Sequence, residues 1–364
     1  MKITTVGSAL IDTIAVIPSE RVERMMMRNA ETSFLLIEEG QKNEAQEVST
    51  HCGGGAVNTA VAMARLGNDV AALVKLGQDA RAETIMARLA EEGVSTRYAI
   101  RDGRLPSGAS VLISAHDRNA AIFTFRGANT LLEVADLKKN AFAVDLVYVS
   151  SLSNNSANCF PHIIAQAKTE GALVATNPGI RQLSSKQNDF RAILEKIDIL
   201  AINKLEAGAL IPWLINKYGE GGAQVPADKD AELPMLAKLG LSGGSFNMSL
   251  LAFFRAMHEQ GPKWVLVSDG KSGAYLGSPK GLTYCPAMQV KVAGTAGAGD
   301  ALASTFAAMI AEGATPEDAL LSGVINSSSV ITFVDTQSGL LRRPQLDEQL
   351  AKARATVPVR TWAI

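Results

Sequence analysis

The sequence predicts an α/β protein with a doubly wound, mostly parallel sheet and helices on both faces of that sheet. Short apolar segments alternate with helical segments over most of the 364 residues, the pattern that βαβ units produce. The short segments are apolar at nearly every position, as in strands that are buried on both faces of a parallel sheet. The predicted strands are Ile3–Val6, Val70–Val74, Leu146–Val149, Leu173–Thr176, Ile197–Ile202 and Trp264–Ser268.

Capping residues mark the ends of several predicted helices. Asp79 and Gly93 bound a helix over Ala80–Glu92, because Asp is a good N-cap and Gly favours the residue just after a helix. Thr315 and Pro316 open a helix in the same way, with Pro at its first position. Further helices are predicted at Cys159–Lys168, Asp189–Lys196 and Ala301–Glu312.

Two regions depart from this alternation and predict small antiparallel hairpins beside the main sheet. Ser33–Ile37 and Glu47–His51 flank a polar turn, and Ala109–Ser114 can pair with Ala120–Phe125. We interpret these hairpins as a lid, and we expect its aromatic residues to lie in the hairpin core. The lid would fall within about residues 18–52 and 107–126, and its aromatic residues are Phe34, Phe123 and Phe125.

Composition narrows the class of protein. Hydrophobic residues make up 47% and charged residues 20% of the chain, which leaves ample material for a core. The formal net charge of -1 favours neither nucleic acid nor an anionic membrane surface as a partner, and no apolar run approaches the ~20 residues of a membrane helix. We expect a single domain over residues 1–364, with a loop-like insertion at about Tyr218–Gly244.

The cysteines and the N-terminus predict a cytoplasmic protein. Cys52, Cys159 and Cys285 are widely spaced, odd in number and free of any CxxC pair. Such cysteines fit a reducing compartment better than a disulfide framework. A secretory apolar segment would have to run through Asp12, and no convincing cleavage site follows.

The segment GTAGAGD, over Gly294–Asp300, carries the strongest functional signal. Small residues let the backbone approach a ligand, and the first turn of the helix that follows offers unpaired N–H groups and a positive dipole end. Together these features suit a phosphoryl group. The dipole would hold Asp300 as a carboxylate, close enough to take a proton from an attacking hydroxyl. The structural alternative is a Gly-rich turn in which Asp300 only caps the helix.

Two other segments are candidates for binding a polyhydroxy ligand. HCGGGAVN, over His51–Asn58, has three consecutive glycines whose backbone can lie flat against such a ligand, and Asn58 can both donate and accept hydrogen bonds. Asp12 follows the first strand, where ligands of open parallel sheets bind, and its carboxylate could hold two vicinal hydroxyls. A flexible turn and a loop Asp that satisfies backbone donors are the respective structural alternatives.

Asn203 and Glu206 follow the predicted strand Ile197–Ile202. They lie one helical turn apart and therefore share a helix face. This pair suits a hydrated magnesium ion and the phosphates that it bridges. A helix cap is the ordinary alternative.

In this order, these segments resemble the PfkB/ribokinase family of carbohydrate and nucleoside kinases, over nearly the whole chain from Gly7 to about Gly339. Gly53–Asn58 is similar to the family's first signature, and Gly297–Asp300 is similar to its second, the anion hole with the catalytic Asp. The joint occurrence is much more specific than any single motif. The family's magnesium and nucleotide motifs are similar to Asn203–Glu206 and Ser268–Ala274.

The resemblance implies a ribokinase-like fold with a small antiparallel β lid, and ATP-dependent phosphorylation of a primary hydroxyl of a ribose-like or hexose-like sugar. Asp300 would be the general base, with the anion hole formed by Gly297, Ala298 and Gly299. The cofactors would be ATP and Mg²⁺. The acceptor would be held by Asp12, Gly54, Gly55 and Asn58, the ATP by Asn203, Ser268, Gly270, Gly273 and Asn326, and the magnesium by Glu206 through water.

The resemblance also implies a homodimer joined through the lid sheets. Gly294 stands where the family usually has an Asp that helps to hold a monovalent cation, so we expect only a weak response to potassium.

A nucleoside such as adenosine is the alternative acceptor, which an aromatic lid residue stacked on the base would favour. Two alternatives to a kinase belong to other functional classes. One is a catalytically silent sugar- or nucleotide-sensing protein of the same fold. The other is a dinucleotide-dependent oxidoreductase, and the absence of a GxGxxG fingerprint argues against it.

Overall fold

The computed structural model describes residues 1–18, 23–26, 33–36, 40, 42–115, 120–226 and 232–363. Within these ranges, a nine-stranded sheet forms the centre of the molecule. Its strands are, in chain order, β1 (Lys2–Val6), β6 (Asp69–Leu73), β11 (Leu146–Val149), β12 (Leu173–Thr176), β13 (Ile199–Asn203), β16 (Trp264–Ser268), β17 (Ala274–Ser278), β18 (Gly281–Cys285) and β19 (Arg360–Trp362).

The order of strands across this sheet is β19-β18-β17-β16-β13-β12-β11-β1-β6. From β6 to β16 all neighbours pair in parallel, and β17, β18 and β19 continue the sheet in antiparallel pairs. The predicted doubly wound, mostly parallel sheet is therefore confirmed. Each predicted strand of the main sheet is present, with bounds that shift by two residues at most.

Helices cover both faces of the sheet. Alternate residues of β11 enter two separate clusters of buried side chains, with Val147 and Val149 in one and Leu146 and Tyr148 in the other. The helices are α1 (Gly55–Arg65), α2 (Ala80–Glu91), α3 (Phe160–Thr169), α4 (Ile180–Ser185), α5 (Gln187–Ile193), α6 (Lys204–Tyr218), α7 (Met235–Leu239), α8 (Leu250–Glu259), α9 (Ala298–Ala311), α10 (Pro316–Val330) and α11 (Arg343–Ala353). The first cluster includes residues of α3, α6 and α8, and the second includes residues of α1, α2, α9, α10 and α11.

A four-stranded sheet lies beside the main one, in the order β10-β9-β2-β5. The predicted pairing of Ala109–Ser114 with Ala120–Phe125 is confirmed, although the turn at residues 116–119 lies outside the described residues. The strands of this sheet are β2 (Leu10–Ile17), β5 (Glu47–Gly53), β9 (Gly108–Ala115) and β10 (Ala120–Phe125). Three separate two-stranded pairs are formed by β3 (Glu23–Met26) with β4 (Ser33–Leu36), β7 (Lys75–Leu76) with β8 (Ile100–Arg101), and β14 (Leu241–Gly243) with β15 (Phe246–Met248).

The predicted hairpin between Ser33–Ile37 and Glu47–His51 is wrong. β4 pairs with β3, and β5 pairs with β2 along its whole length. β2 was not predicted as a strand, and once formed it offers two edges that β5 and β9 occupy. The side chains of Phe123 and Phe125, expected in the hairpin core, are 63% and 50% exposed, and the side chain of Phe34 lies outside the described residues.

The insertion at Tyr218–Gly244 is only in part a loop. It contains α7 and the first strand of the hairpin β14–β15, whereas residues 227–231 lie outside the described ranges. Leu236 and Leu241 are buried in the main core, which explains why this segment folds onto the domain.

The three cysteines are buried and free. Among the residues described, no helix combines the length and the apolar composition needed to cross a membrane.

The assignment of Asp79 as the N-cap of α2 can be tested by substitution. Asp79 Oδ1 accepts hydrogen bonds from Ala82 N and Ser107 Oγ, and Oδ2 accepts one from the buried Ser107 N at 2.7 Å. Asp79→Ala removes the cap and leaves the Ser107 donors unpaired, so the free energy of unfolding in urea should fall by about 2–4 kcal/mol. Glu348→Ala, which removes an exposed ion pair with Lys352, is the control and should leave the free energy of unfolding nearly unchanged. Equal losses for the two variants would contradict the assigned cap.

Candidate active site

The carboxyl edge of the main sheet brings together the polar residues of the site. Ser150, Asn177 and Asn203 lie at the ends of the adjacent strands β11, β12 and β13. The helices α1 and α9 both begin at this edge, and the two are packed against each other. Open parallel sheets bind ligands at this edge.

The start of α1 requires glycine at two successive positions. Gly54 has a φ of +99°, and a Cβ on it would lie 2.5 Å from the carbonyl oxygen of Ser8. A Cβ on Gly55 would lie 2.6 Å from the side chain of Ser150. Gly55 N donates to Ser8 Oγ at 3.1 Å, which fixes the loop after β1 against the helix. The Gly-rich segment is thus a tightly packed junction, and not the flexible turn considered as its structural alternative.

Asn58 and Asp300 are joined by a hydrogen bond of 2.8 Å from Asn58 Nδ2 to Asp300 Oδ2. The Asn58 side chain is buried, and its Oδ1 accepts hydrogen bonds from Thr336 Oγ1 at 2.9 Å and Gln337 Nε2 at 3.3 Å. The sequence predicted that Asn58 binds hydroxyls of a ligand. In the structure its amide oxygen accepts hydrogen bonds from protein side chains and one N–H of its amide nitrogen donates to Asp300, because α1 places it against α9.

The pKa of Asp300 is raised to about 6, mainly by burial and also by the charge of Asp12, although the hydrogen bond from Asn58 lowers it. The sequence predicted that the helix dipole would stabilise the carboxylate. Desolvation outweighs that effect, since removing a carboxylate from water favours its neutral form. Asp300 is nevertheless mostly ionised at pH 7 and can change protonation state near neutral pH.

Asp12 lies within strand β2 and not in a loop. Its side chain is buried, and Oδ1 accepts a short hydrogen bond from Ser110 Oγ on the neighbouring strand β9. A side chain at Gly53 would collide with Asp12 Oδ2. Burial raises the pKa of Asp12, while the Ser110 hydrogen bond and the nearby His51 lower it. Asp12 is within electrostatic range of Asp300, so the two carboxylates share one region.

The first turn of α9 forms one wall of a cavity of about 210 Å³. Gly297 is its N-cap, with a φ of +77°, and a Cβ there would lie 2.8 Å from Cβ of Thr336. At Gly299 an added Cβ would meet no atom within 4 Å. Gly297, Gly299 and Asp300 line this cavity together with Asn177, Asn203 and Ser268.

A second cavity of about 470 Å³ adjoins the first, and Ser268, Gly299 and Leu302 line both. Gly270 and Gly273, predicted for the ATP site, line this second cavity. It is less polar than the first, with Ala287, Met288, Val290, Val292 and Ile331 among its lining residues.

Asn326 does not line either cavity. It is fully buried, Nδ2 donates to Thr305 Oγ1 at 2.8 Å, and Oδ1 accepts from Leu341 N at 2.9 Å. The prediction that it borders the adenine is therefore wrong, because it faces the protein core. The cavity is lined by another face of α10, at Val324, Ser327, Ser328 and Ile331, whose spacing of three and four residues was a signal available in the sequence.

Asn203 and Glu206 form a capping box at the start of α6. Asn203 Oδ1 accepts from Glu206 N, and Glu206 Oε2 accepts from Asn203 N, both at 2.9 Å. Burial raises the pKa of Glu206, while hydrogen bonds from backbone N–H groups lower it. Within the described ranges, no three His, Cys, Asp or Glu side chains converge to hold a metal ion. The structural alternative, a helix cap, is thus present, and Asn203 also lines the first cavity.

Sequence reasoning missed several residues of the site. Ser110, Thr336 and Gln337 each bond to a predicted site residue from a distant part of the chain. Ser8 and Ser150 pack against the Gly-rich junction. These contacts depend on tertiary structure, and no local motif marks them.

Comparison with known proteins identifies the family of this chain. The model of the pfkB family carbohydrate kinases matches residues 22–227 and 241–342. The deoxyribokinase of Salmonella typhimurium is 25% identical over 342 residues, covering 93% of this chain and 98% of that protein, and the ribokinase of Haemophilus influenzae is 22% identical over 315 residues, covering 86% and 92%.

Solved structures show the same fold. The ribokinase of Arabidopsis thaliana, complexed with ribose and ATP, has a TM-score of 0.70 at 21% identity, with 96% of this chain and 98% of that chain covered. A Burkholderia thailandensis nucleoside kinase in complex with inosine has a TM-score of 0.71 at 16% identity, with 98% and 100% covered. The fold is therefore ribokinase-like, as the sequence predicted. The chain belongs to the pfkB family of carbohydrate kinases, which are phosphotransferases that act on a sugar hydroxyl.

Proposed function

We propose that this protein transfers the γ-phosphoryl group of ATP to a primary hydroxyl of a ribose-like or hexose-like sugar, with Asp300 as the general base. The observation that carries this proposal is the position of Asp300, in the first turn of α9 and on the wall of the first cavity, with a pKa near 6. A general base is most effective when its pKa lies near the working pH.

The two cavities suit the two parts of the nucleotide. The less polar one, bordered by α10, fits the adenine and ribose, and the one beside Asp300 fits the phosphoryl group in transfer. The backbone N–H groups of Gly297, Ala298 and Gly299, at the helix start, would stabilise the charge that develops on the phosphate.

In the proposed step, the hydroxyl oxygen of the sugar bonds to the γ-phosphorus and its proton passes to Asp300. The bond between the γ-phosphorus and the bridging oxygen breaks, and ADP leaves with that electron pair. Mg²⁺, when bound, would neutralise charge on the phosphates. Asn203 and Glu206 would hold it through water, which fits side chains that already bond to backbone N–H groups.

The acceptor would bind between the small sheet and the carboxyl edge of the main sheet, held by Asp12, Gly54 and Gly55. Asn58 would also bind the sugar through the second N–H of its amide, since the first donates to Asp300. Of the relatives, one is named a deoxyribokinase and another a ribokinase, which favours a pentose. A nucleoside acceptor is the alternative, since one structural relative is a nucleoside kinase in complex with inosine.

The register of the small sheet opposes aromatic stacking on a nucleobase. Asp12 pairs with Ser110, and Ser110 pairs with Thr124, so these three residues share one face. Phe123 and Phe125 alternate with Thr124 and therefore project from the opposite face. They could not stack on a base bound beside Asp12.

The same opposite face carries the proposed homodimer contact. Four exposed apolar residues lie on it together: Val48, Val111, Phe123 and Phe125. Exposed apolar side chains that share one face of a sheet indicate an interaction surface, and a second copy of the lid would cover them. We further propose a cytoplasmic location and, because Gly294 has no carboxylate, a weak response to potassium.

Replacement of Asp300 tests the base directly. Asp300→Asn keeps the shape but cannot accept the proton, so kcat should fall by about two to four powers of ten while the ATP dissociation constant stays nearly unchanged. A coupled assay of ADP release, with D-ribose, 2-deoxy-D-ribose, D-fructose and adenosine as acceptors, measures kcat and identifies the acceptor class. Asp318→Asn, in the first turn of α10, is the control and should retain kcat. An Asp300→Asn enzyme with more than about a tenth of wild-type kcat would exclude this role.

Replacement of Asp12 tests acceptor binding. Asp12→Ala should raise the KM for the sugar about ten- to a hundredfold and leave the KM for ATP nearly unchanged, because hydrogen bonds to a charged group are lost. Thr13→Ala, at the next position of β2 and on the opposite face, should change neither constant. A similar rise in both KM values for Asp12→Ala would argue against a specific contact with the sugar.

Replacement of Gly299 should change the stability of the protein and its affinity for ATP in opposite directions. Gly299→Ala should raise the free energy of unfolding by up to about 1 kcal/mol, because Ala is the better helix former and its Cβ meets no protein atom. The Cβ would intrude on the space proposed for the phosphates, so ATP affinity by calorimetry should fall at least about fivefold. Gly297→Ala is the contrast: its positive φ and the contact with Thr336 should make it destabilising. Unchanged ATP affinity in Gly299→Ala would exclude this cavity as the phosphate site.

A further inference from the structure

The orientation of the Asn58 amide is decided by the groups behind it. Oδ1 accepts hydrogen bonds from Thr336 Oγ1 at 2.9 Å and from Gln337 Nε2 at 3.3 Å. These two bonds use both lone pairs of the amide oxygen. The amide nitrogen is therefore the atom that faces Asp300, to which it donates at 2.8 Å.

Gln337 is itself oriented by two groups of fixed polarity. Arg88 Nε, which can only donate, bonds to Gln337 Oε1 at 3.1 Å. The carbonyl oxygen of Cys52, which can only accept, receives Gln337 Nε2 at 2.8 Å. Since a guanidinium and a carbonyl cannot exchange these roles, Gln337 must present an N–H group to Asn58. The direction of donation thus runs from Arg88 through Gln337 and Asn58 to Asp300.

We propose that Thr336 and Gln337 are positioning residues that hold the amide nitrogen of Asn58 towards Asp300 and so keep Asp300 ready to accept a proton. This inference rests on the proposed role of Asp300 as the general base. A reversed Asn58 amide would set its oxygen against the carboxylate and its nitrogen against the N–H of Gln337. Both contacts are repulsive while Asp300 is ionised.

This orientation opposes the effect of burial on the base. Burial and, to a smaller extent, the charge of Asp12 raise the pKa of Asp300, whereas the hydrogen bond from Asn58 lowers it, and the net value is about 6. A donor held in place favours the ionised carboxylate, and a donor free to rotate favours it less. Loss of the two bonds to Asn58 Oδ1 should therefore shift the ionisation of Asp300 to higher pH.

The segment that carries both residues is held in place by Asp335 and by Arg65, which is itself paired with Glu92. Asp335 Oδ1 accepts the N–H of Gln337 at 2.8 Å. Arg65 Nη1 donates to the carbonyl oxygens of Gln337 and Leu340 at 2.8 and 2.7 Å. The same guanidinium pairs with the partly buried Glu92 at 2.6 Å. Thr336 also packs against Gly297, so this segment contacts the proposed anion hole as well as the base.

Other charged and titratable groups face these residues from several elements, and the variants below leave all of them unchanged. Burial, with the charges of Asp300 and Glu206, raises the pKa of Tyr148 on β11 well above its ordinary value, so this phenol stays neutral. The remaining groups are Asp12 and His51 on the small sheet, Arg65 on α1, Arg88 and Glu92 on α2, Glu206 on α6 and Asp335 beside Gln337.

The test is the pH dependence of kcat, measured with saturating ATP and the sugar that gives the highest kcat among D-ribose, 2-deoxy-D-ribose and D-fructose. For the wild type, kcat should fall as the pH decreases through about 6, where Asp300 becomes protonated. Gln337→Met keeps the volume of the side chain and removes the bonds to Arg88, Cys52 and Asn58. Its acid limb should move up by about one pH unit, which lowers kcat roughly fivefold at pH 6 and less than about twofold at pH 8.

Two further variants provide a second test and a control. Thr336→Val removes one hydroxyl without changing the shape and should shift the limb in the same direction, so it serves if Gln337→Met fails to fold. Thr332→Val removes an exposed hydroxyl from the same segment and should reproduce the wild-type profile. An unmoved acid limb in Gln337→Met or Thr336→Val, or an equal loss of kcat at every pH, would overturn the proposal. If that happens while Asp300→Asn is inactive, only the positioning role fails. An active Asp300→Asn enzyme would instead remove the base assignment on which the role rests.

Discussion

The hydrogen bond between Asn58 and Asp300 joins two helix N-termini that lie 242 residues apart in the chain. The rest of the site depends on this contact, because α1 and α9 must both begin at the carboxyl edge of the sheet for it to form. Glycine makes both starts possible: Gly54 and Gly55 let α1 approach the ends of β1 and β11, and Gly297 lets α9 turn in beside Thr336. A single side-chain contact thereby fixes the proposed base between a polar cavity and the small sheet that carries Asp12.

Local signals in the sequence were sufficient for the main fold. The strands of the parallel sheet are apolar at nearly every position because they are buried on both faces, and the predicted caps at Asp79 and Thr315 are present. Strand pairing in the lid could not be predicted in the same way. β2 (LIDTIAVI) is rich in β-branched residues, a strand signal that was missed, but whether β5 pairs with β2 or with β4 depends on which edges remain open after the chain has folded.

The residues of the candidate site also differ in whether a local sequence signal marks them. Glycine motifs and the helix start at Asp300 are contiguous in sequence, so they were recognised, whereas the partners of Asn58 come from the segment after α10 and carry no motif. For Asn326 the sequence predicted a role that the structure does not support. The helix that carries it does line the second cavity, but the Asn326 side chain points into the core. The direction of the electrostatic effect on Asp300 was also missed. The helix dipole is a local property, but the burial and the charge of Asp12 that raise its pKa arise only in the folded chain.

The proposed base, Asp300, is a partly buried carboxylate whose pKa is raised to about 6. The most direct measurement is a titration of its carboxyl carbon by NMR in protein labelled with ¹³C-Asp, with the signal assigned by its absence from the Asp300→Asn variant. The midpoint should lie near pH 6, well above the ordinary value of 3.8 for an Asp. A midpoint at or below 3.8 would show that Asp300 is not buried beside Asp12 as described, and would contradict the account of the site given above.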